Sequence, residues 1–360
     1  MGVRLRDVAT AAGVSVKTVS NVVNGHVNVA PRTRARVQAA IDDLNYRPNL
    51  SARSLRQGRS GVIALALPEL YTPYFAELTG YVVAAAQAHG LTVLVEQTDG
   101  QLDSERFAMA GFRGHLIDGL ILSPVAMSGV DIASCSNETP LVLLGEKLVS
   151  GPADHIAIDN VAAASSATRH LIDLGRRRIA AIGDQPGSAD GSGVAWLRRA
   201  GYEDALRAHG WGLDERLVAS VPAFRRADGA AAMAQLLHAG AAPDAVFCFT
   251  DTLALGALRT LAERGIAIPD DVAVIGLDDI EDGRYSVPTL STMSPDKAQI
   301  ADRAVQLLRD RLEGRSDPPR DVRADVTLVA RESTIGRTVT GNPATRESGN
   351  RDASGPRVSR

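Results

Sequence analysis

Apolar residues in the first fifty positions recur at helical intervals. Leu5, Val8, Ala9 and Ala12 follow the i, i+3, i+4, i+7 spacing that builds one stripe on a two-turn helix. Gly13 predicts its end, because glycine accepts the left-handed backbone found past a helix C-terminus. Ser15 can cap a second helix, whose Val16, Val19, Val22 and Val23 hold the period as far as Asn24-Gly25. Pro31 suits the first turn of a third helix that carries Val37, Ile41 and Leu44 inward, with the register of Ala35 left open. Three short helices with a glycine turn between the first two form a helix-turn-helix pattern. With Val19, Val22 and Val23 turned inward, Val16, Lys17, Ser20 and Asn21 point outward, and the first residues of such a helix are the ones that reach base edges in a major groove. An ordinary solvated helix face is the competing reading.

Pro48 breaks the pattern, and residues 45–60 read as a linker holding one or two helical turns between Asn49 and Arg56. From Val62 the texture changes. Short apolar runs at Val62–Leu67, Thr92–Val95, Leu120–Leu122, Leu141–Leu144, Ile179–Gly183, Ala245–Phe249 and Ala273–Leu277 fit buried parallel strands. Amphipathic stretches near 74–89, 103–116, 161–174, 196–209, 228–239 and 251–264 separate them. Strands alternating with helices predict βαβ units, whose ligands bind outside the carboxyl ends of the strands. Arg337–Arg360 has no leucine, isoleucine or aromatic residue and is expected to be a disordered tail.

Composition narrows the field. The 360 residues give room for two or three domains. No apolar run approaches the roughly 18 residues of a membrane span, and the opening residues lack a signal-peptide core, so a cytoplasmic location is expected. The two cysteines, Cys135 and Cys248, lie far apart and build neither a disulfide framework nor a zinc cluster. Net charge is −3 overall, yet residues 1–60 carry ten basic side chains against three acidic ones. A basic head on an acidic body suits a polyanion partner for the head alone. Catalytic signatures are missing: Gly191-Ser192-Gly193-Val194-Ala195-Trp196 lacks the third glycine of a dinucleotide loop, and the seven histidines are scattered. The expectation is no catalytic residue, no cofactor and no metal.

The run Leu5-Arg6-Asp7-Val8-Ala9-Thr10-Ala11-Ala12-Gly13-Val14-Ser15-Val16-Lys17-Thr18-Val19-Ser20-Asn21-Val22-Val23-Asn24 closely resembles the DNA-binding signature of the lactose/galactose repressor family, and the likeness continues through Thr33-Arg34, Leu44–Asn49, Ala52 and Leu55. The resemblance implies double-stranded operator DNA as partner, with Ser15, Val16, Lys17, Thr18, Ser20, Asn21 and Asn24 at the contact. It makes Asn49–Arg56 a hinge helix, with Asn49, Ala52 and Leu55 at the minor groove and Leu55 as a wedge that would kink the duplex. A packing role for Leu55 at a domain junction is the alternative. Two positions depart from the family: Arg4 and Ala30 stand where capping hydroxyls are usual.

The body is similar to the family's effector domain through Pro73–Leu78, Asp118–Ile121, Arg198–Tyr202, Thr250–Gly256 and Gly276–Asp279. The fold so implied is an all-α helix-turn-helix head plus an α/β periplasmic-binding-protein-like body of two doubly wound subdomains. Boundaries follow: 1–46 head, 47–60 hinge, 61–336 body, 337–360 tail. Within the body, the first subdomain takes about 61–160 and 292–320, and the second takes 161–291 and 321–336. By family position Tyr74, Glu146, Arg198, Phe224, Thr250 and Asp278 are the expected effector contacts. A guanidinium, carboxylates and an aromatic plate suit a sugar or related polyol. Arg198 could instead be a surface residue, Tyr74 and Phe224 plain core, and Glu146 merely solvated; Asp251 reads as a helix cap, and Pro295 and Lys297 are left out. The expected assembly is a homodimer, since tail-to-tail helices need an apolar seam that the tail lacks. The whole is expected to be a ligand-responsive regulator, a repressor of sugar or related catabolic genes. A sugar-binding transport protein and an α/β enzyme with an added DNA-binding head are the rivals.

Overall fold

The computed structural model describes residues 3–23, 28–46, 59–110, 117–134, 139–145, 153–185 and 193–337. Asn24, Asn49, Ala52, Leu55, Glu146, most of the expected linker and residues 338–360 lie outside them.

The head is built from α1 (Leu5–Ala12), α2 (Val16–Val23) and α3 (Pro31–Asp43). Gly13 closes α1 in the left-handed conformation at φ 61°. Ser15 Oγ caps α2 by accepting the Thr18 N–H at 3.1 Å. In place of a hydroxyl cap, the Asp7 carboxylate of α1 accepts the Arg4 N–H at 2.8 Å. Ala30 offers no side-chain cap, and Pro31 fills the first turn of α3, where its missing N–H is not needed. Val8, Ala9, Ala12, Val19, Val22, Val37, Ala40 and Tyr46 bury one small core, and Ala35 faces solvent.

The body holds two six-stranded sheets. The first contains β1 (Val62–Leu67), β2 (Thr92–Gln97), β3 (Gly119–Leu122), β4 (Leu141–Leu144), β5 (Asp154–Ile158) and β11 (Asp321–Ala324), ordered β11-β5-β4-β3-β1-β2 and parallel throughout. The second contains β6 (Ile179–Asp184), β7 (Val218–Ser220), β8 (Ala245–Cys248), β9 (Ala273–Leu277), β10 (Ser291–Pro295) and β12 (Val326–Val329), ordered β12-β10-β9-β8-β6-β7 with only the β10–β12 pair antiparallel. Helices α4 (Pro73–Ala88), α5 (Leu102–Met109) and α6 (Gly129–Ser134) belong to the first half. In the second lie α7 (Asn160–Asp173), α8 (Val194–Ala208), α9 (Arg226–His238), α10 (Asp251–Glu263) and α11 (Glu281–Arg284). The chain then returns through α12 (Lys297–Leu312), which packs along α4, and closes with α13 (Glu332–Ile335) against β9.

Three crossings therefore join the halves: after β5, after β10 and after β11. This corrects the expected boundaries in two places. β10 pairs with β9 and belongs to the second subdomain, whereas β11 pairs with β5 and belongs to the first. The reason is chemical. β10 reads Ser-Thr-Met-Ser-Pro and carries no apolar run, yet it is buried because its hydroxyls are answered internally. Ser291 Oγ donates to the Arg331 carbonyl at 3.0 Å, and Thr292 Oγ1 donates to Asp251 Oδ1 at 2.7 Å.

Helix α8 can lie close on α7 because position 201 has no side chain. A Cβ on Gly201 would meet the Val161 carbonyl at 2.2 Å and the Ala164 Cβ at 2.8 Å. Gly201→Ala is therefore expected to push the two helices apart at an overpacking cost of about 1–3 kcal/mol. Thermal melts should show a loss of about 2–4 °C per kcal/mol for a unit of this size. An unchanged melting temperature would contradict the close contact.

Candidate effector cleft and DNA-binding head

The carboxyl ends of β6, β8 and β9 gather the second subdomain's functional candidates. Arg198, in the second turn of α8, is buried rather than on the surface. Its Nε donates to Asn160 Oδ1 at 2.7 Å, and one terminal nitrogen donates to the Phe249 carbonyl at the end of β8. The other lies 3.8 Å from Asp278 Oδ1. Its neighbour Arg199 turns the opposite way, into a surface network with Asp184, Glu203 and Glu215. Thr250 follows Phe249 directly and caps α10, its Oγ1 accepting the Leu253 N–H at 3.2 Å. Asp251 is consequently not the cap that the sequence suggested. It is fully buried and ties the next two strands together through Thr292 and the Ile280 N–H, at 2.7 and 3.0 Å.

The turn after β9 carries two adjacent aspartates with positive φ, 127° at Asp278 and 47° at Asp279. Such backbone costs on the order of 1–3 kcal/mol and persists only where the surroundings impose it. Here Asp278 N–H donates to the Met293 carbonyl, and both aspartate carbonyls accept the Lys297 Nζ, at 2.6 and 2.9 Å. The two carboxylates differ sharply. Asp279 takes Arg331 at 2.6 Å, Arg284 at 2.8 Å and the Ser294 hydroxyl at 3.0 Å. Burial pushes its pKa up, but those partners outweigh it and hold the carboxyl below its ordinary value. At Asp278 burial outweighs the attraction of Arg198, 3.8 Å away, and of Lys297, and its pKa rises to about 6. Asp251, buried and beside Asp278, rises further, to about 8. Of the three, Asp278 is the carboxylate left with acceptor capacity at the cleft.

Across the cleft, α4 supplies Tyr74 and Glu77. Glu77 Oε2 pairs with Lys297 at 2.7 Å, and its other oxygen accepts the Glu281 N–H of the second subdomain at 2.8 Å. Lys297 Nζ also stands 5.9 Å from the centroid of the half-buried Tyr74 ring. Phe224 is half-buried before α9, and the adjacent Arg225 reaches the Tyr71 hydroxyl at 3.4 Å. The structure thus brings Arg198, Thr250 and Asp278 onto one end of the second sheet and links Tyr74 to them through Lys297. Phe224 shares that end of the sheet without a direct bond to the others.

Asn160 was not singled out in the sequence, Glu77 entered only as part of the Pro73–Leu78 likeness, and Lys297 was considered and left out. Asn160 stands at the first crossing, and its buried Nδ2 has no hydrogen-bond partner among the described residues. Lys297 directly follows Asp296, whose side chain caps α12. Among the described residues no trio of His, Cys, Asp or Glu could hold a metal ion, and no helix is long and apolar enough to cross a membrane.

In the head, Val16 is 45% exposed at the front of α2, Lys17 beside it is exposed, and Ser20 and Asn21 are half-buried. The Ser15 and Thr18 hydroxyls lie 2.9 Å apart, so part of their bonding capacity is spent on the cap.

A helix-turn-helix head joined to a two-sheet body with a polar cleft defines a DNA-binding regulator that senses a small molecule. The chain belongs to the LacI family of bacterial regulatory proteins, whose model matches residues 4–49, and a periplasmic binding protein-like domain matches residues 168–334. The transcriptional regulator GalS of Salmonella typhimurium is 33% identical over 337 residues, which cover 93% of this chain and 97% of that protein. Among solved structures, the CelR–cellobiose complex is 31% identical with a TM-score of 0.67, covering 92% of this chain and 99% of the other. The lac repressor dimer bound to operator and the anti-inducer ONPF is 27% identical with a TM-score of 0.80, covering 93% and 99%. The chain is thus a transcriptional regulator with a DNA-binding head and an effector-binding body.

The buried carboxyls set a pH dependence. An acid whose folded pKa is raised stabilises the fold below its unfolded pKa, and that contribution is lost as pH rises through the folded value. Between pH 6.5 and 8.5 the group in question is Asp251, at about 8. The melting temperature should fall by several degrees across that window, and Asp251→Asn should flatten the slope. Parallel slopes for the two proteins would contradict the assignment.

Proposed function

We propose that this chain is a transcriptional repressor whose grip on its operator is set by a polyhydroxylated ligand, a sugar or polyol, bound between the two subdomains. The observation that carries the reading is the buried Arg198–Asp278 pair at 3.8 Å, too long for a hydrogen bond between that terminal nitrogen and the carboxylate. A guanidinium fork and a carboxylate with spare acceptor capacity suit neighbouring hydroxyls, which donate to one and accept from the other. The Asn160 Nδ2, the Thr250 hydroxyl and the Tyr74 and Phe224 rings supply further polar and apolar contact, and Glu146 is assigned to the same ligand. CelR, solved with cellobiose, supports the sugar class.

The repressor works in the cytoplasm as a homodimer on a near-palindromic duplex, a reading supported by the lac repressor dimer solved on its operator. Val16, Lys17 and Asn21 are assigned to bases or nearby backbone, Ser15, Thr18, Ser20 and Asn24 to the same DNA contact, and Asn49, Ala52 and Leu55 to the minor groove. The cleft senses rather than catalyses, and no cofactor or metal is assigned to it. Its ligand shifts operator affinity only by preferring one subdomain arrangement over the other.

Two experiments test the reading. Lys17→Ala should cost about 1–3 kcal/mol on the operator and relax the preference at one base position. Equal losses on operator and random DNA would reduce Lys17 to a phosphate contact. Arg198→Ala and Asp278→Ala should each lose at least tenfold in affinity for the sugar identified by calorimetric screening, while ligand-free operator binding persists. Wild-type affinity for that sugar should also weaken below about pH 6, where Asp278 takes up a proton. Unchanged calorimetry for both variants would refute the cleft assignment.

A further inference from the structure

Helix α12 touches functional regions at both ends. At its start, Lys297 is buried and bonded to the Asp278 and Asp279 carbonyls and to Glu77. The same end is fixed to the third crossing: Asp296 N–H donates to the Asp325 carbonyl at 2.9 Å, and Gln299 and Asp325 exchange two hydrogen bonds at 2.8 and 2.9 Å. At its far end, the Leu312 carbonyl accepts a hydrogen bond from the guanidinium of Arg59, the first described residue after Tyr46. A last-turn carbonyl has no partner within its helix, and its partial negative charge favours a cation there.

A second contact holds the same stretch of chain. The Asp118 carboxylate accepts the Ser60 and Gly61 N–H groups, both at 2.6 Å, and the Ser60 hydroxyl at 2.8 Å. The next residue, Gly119, lies so close under α12 that a Cβ would sit 2.9 Å from Leu308 Cδ1. Between its ends α12 is stiff. Its sixteen residues include neither glycine nor proline, and Ile300, Ala301, Ala304, Val305, Leu307 and Leu308 are buried. It spans about 22 Å from Lys297 to Leu312 at the helical rise of about 1.5 Å per residue.

We infer that α12 is the rod that carries the state of the cleft to the point where the chain leaves for the head, with Lys297 and Arg59 as the positioning residues at its two ends. The inference rests on the reading of the cleft as the effector site. A ligand that takes hold of Asp278 shifts the turn whose carbonyls hold Lys297. The helix cannot absorb that shift by bending, so the displacement arrives at Leu312 and Leu308, where Arg59, Ser60 and Gly61 are held. Loosening either end then alters how the head is presented to DNA.

The test uses the full chain without ligand, on a duplex selected from random DNA by its binding. Lys297→Met, Arg59→Met and the double variant are compared by operator affinity, and amide exchange of Ser60 and Gly61 is followed by mass spectrometry. Sites this far apart are normally additive, so coupling is diagnostic. Each single variant should change affinity at least fivefold in the same direction, with the double no further changed than the larger single. Lys297→Met should also speed Ser60 and Gly61 exchange at least tenfold. The milder Glu77→Gln, which removes only the charge facing Lys297, should speed the same amides and serves if Lys297→Met does not fold. Additive affinities, or exchange at Ser60 and Gly61 that stays at the wild-type rate in the folded variants, would overturn the rod. Because no ligand enters, a chain that couples its ends yet binds no sugar would keep the rod and lose the sugar, and the converse result would do the reverse.

Discussion

Placing three carboxylates in one buried corner costs several kcal/mol for each that stays charged without a partner. Asp251, Asp278 and Asp279 meet that constraint in three ways. Asp279 gathers two arginines and a hydroxyl and becomes structural. Asp251 takes one hydroxyl and one N–H and is pushed toward its neutral form. Asp278 has no close ion pair, only the longer-range attraction of Arg198 and Lys297, and stays available. Because the backbone here is held at positive φ, the carbonyls of this turn face Lys297, and through it Glu77 and the opposite subdomain. The cleft's free carboxylate and the seat of α12 both depend on this corner being satisfied unequally.

Much of the fold was legible because burial and hydrophobicity coincide. β1, β3, β4, β8 and β9 are buried almost along their whole length and read as apolar runs. β5 and β10 were not legible, since Asp154, His155, Ser291 and Thr292 are polar residues buried with their partners, and those partners are remote in sequence. Asp154, for example, is answered by Arg311, 157 residues further on. The same blindness hid the pairing of Lys297 with Glu77: a buried ion pair looks in sequence like two solvated charges. Arg198 and Asp278 were reached through motif resemblance; burial separates Arg198 from its neighbour Arg199, whereas Asp278 and the equally buried Asp279 differ in the partners their carboxylates meet.

The head obeys a simpler grammar. Its helices are short, its core is eight buried residues, and its start and stop signals are local, so spacing and capping sufficed to place them. Asp7 accepting the Arg4 N–H shows how a departure at the cap position can be compensated one turn along, within the helix itself. Its outward residues are few and face solvent, and the small core leaves little stability beyond what the fold needs.

The three crossings between the subdomains also dictate when the protein can be finished. The first sheet cannot acquire its edge strand β11 until residue 324 has been synthesised, and α4 and Gly119 stay uncovered until α12 is complete. The second sheet waits for β12 a few residues later. A ribosome therefore releases the head early and then carries two half-built subdomains with open apolar faces until β11 and β12 have emerged. During that interval, which at about 5–20 residues per second lasts many seconds, the nascent chain is most exposed to misassembly and most dependent on chaperones.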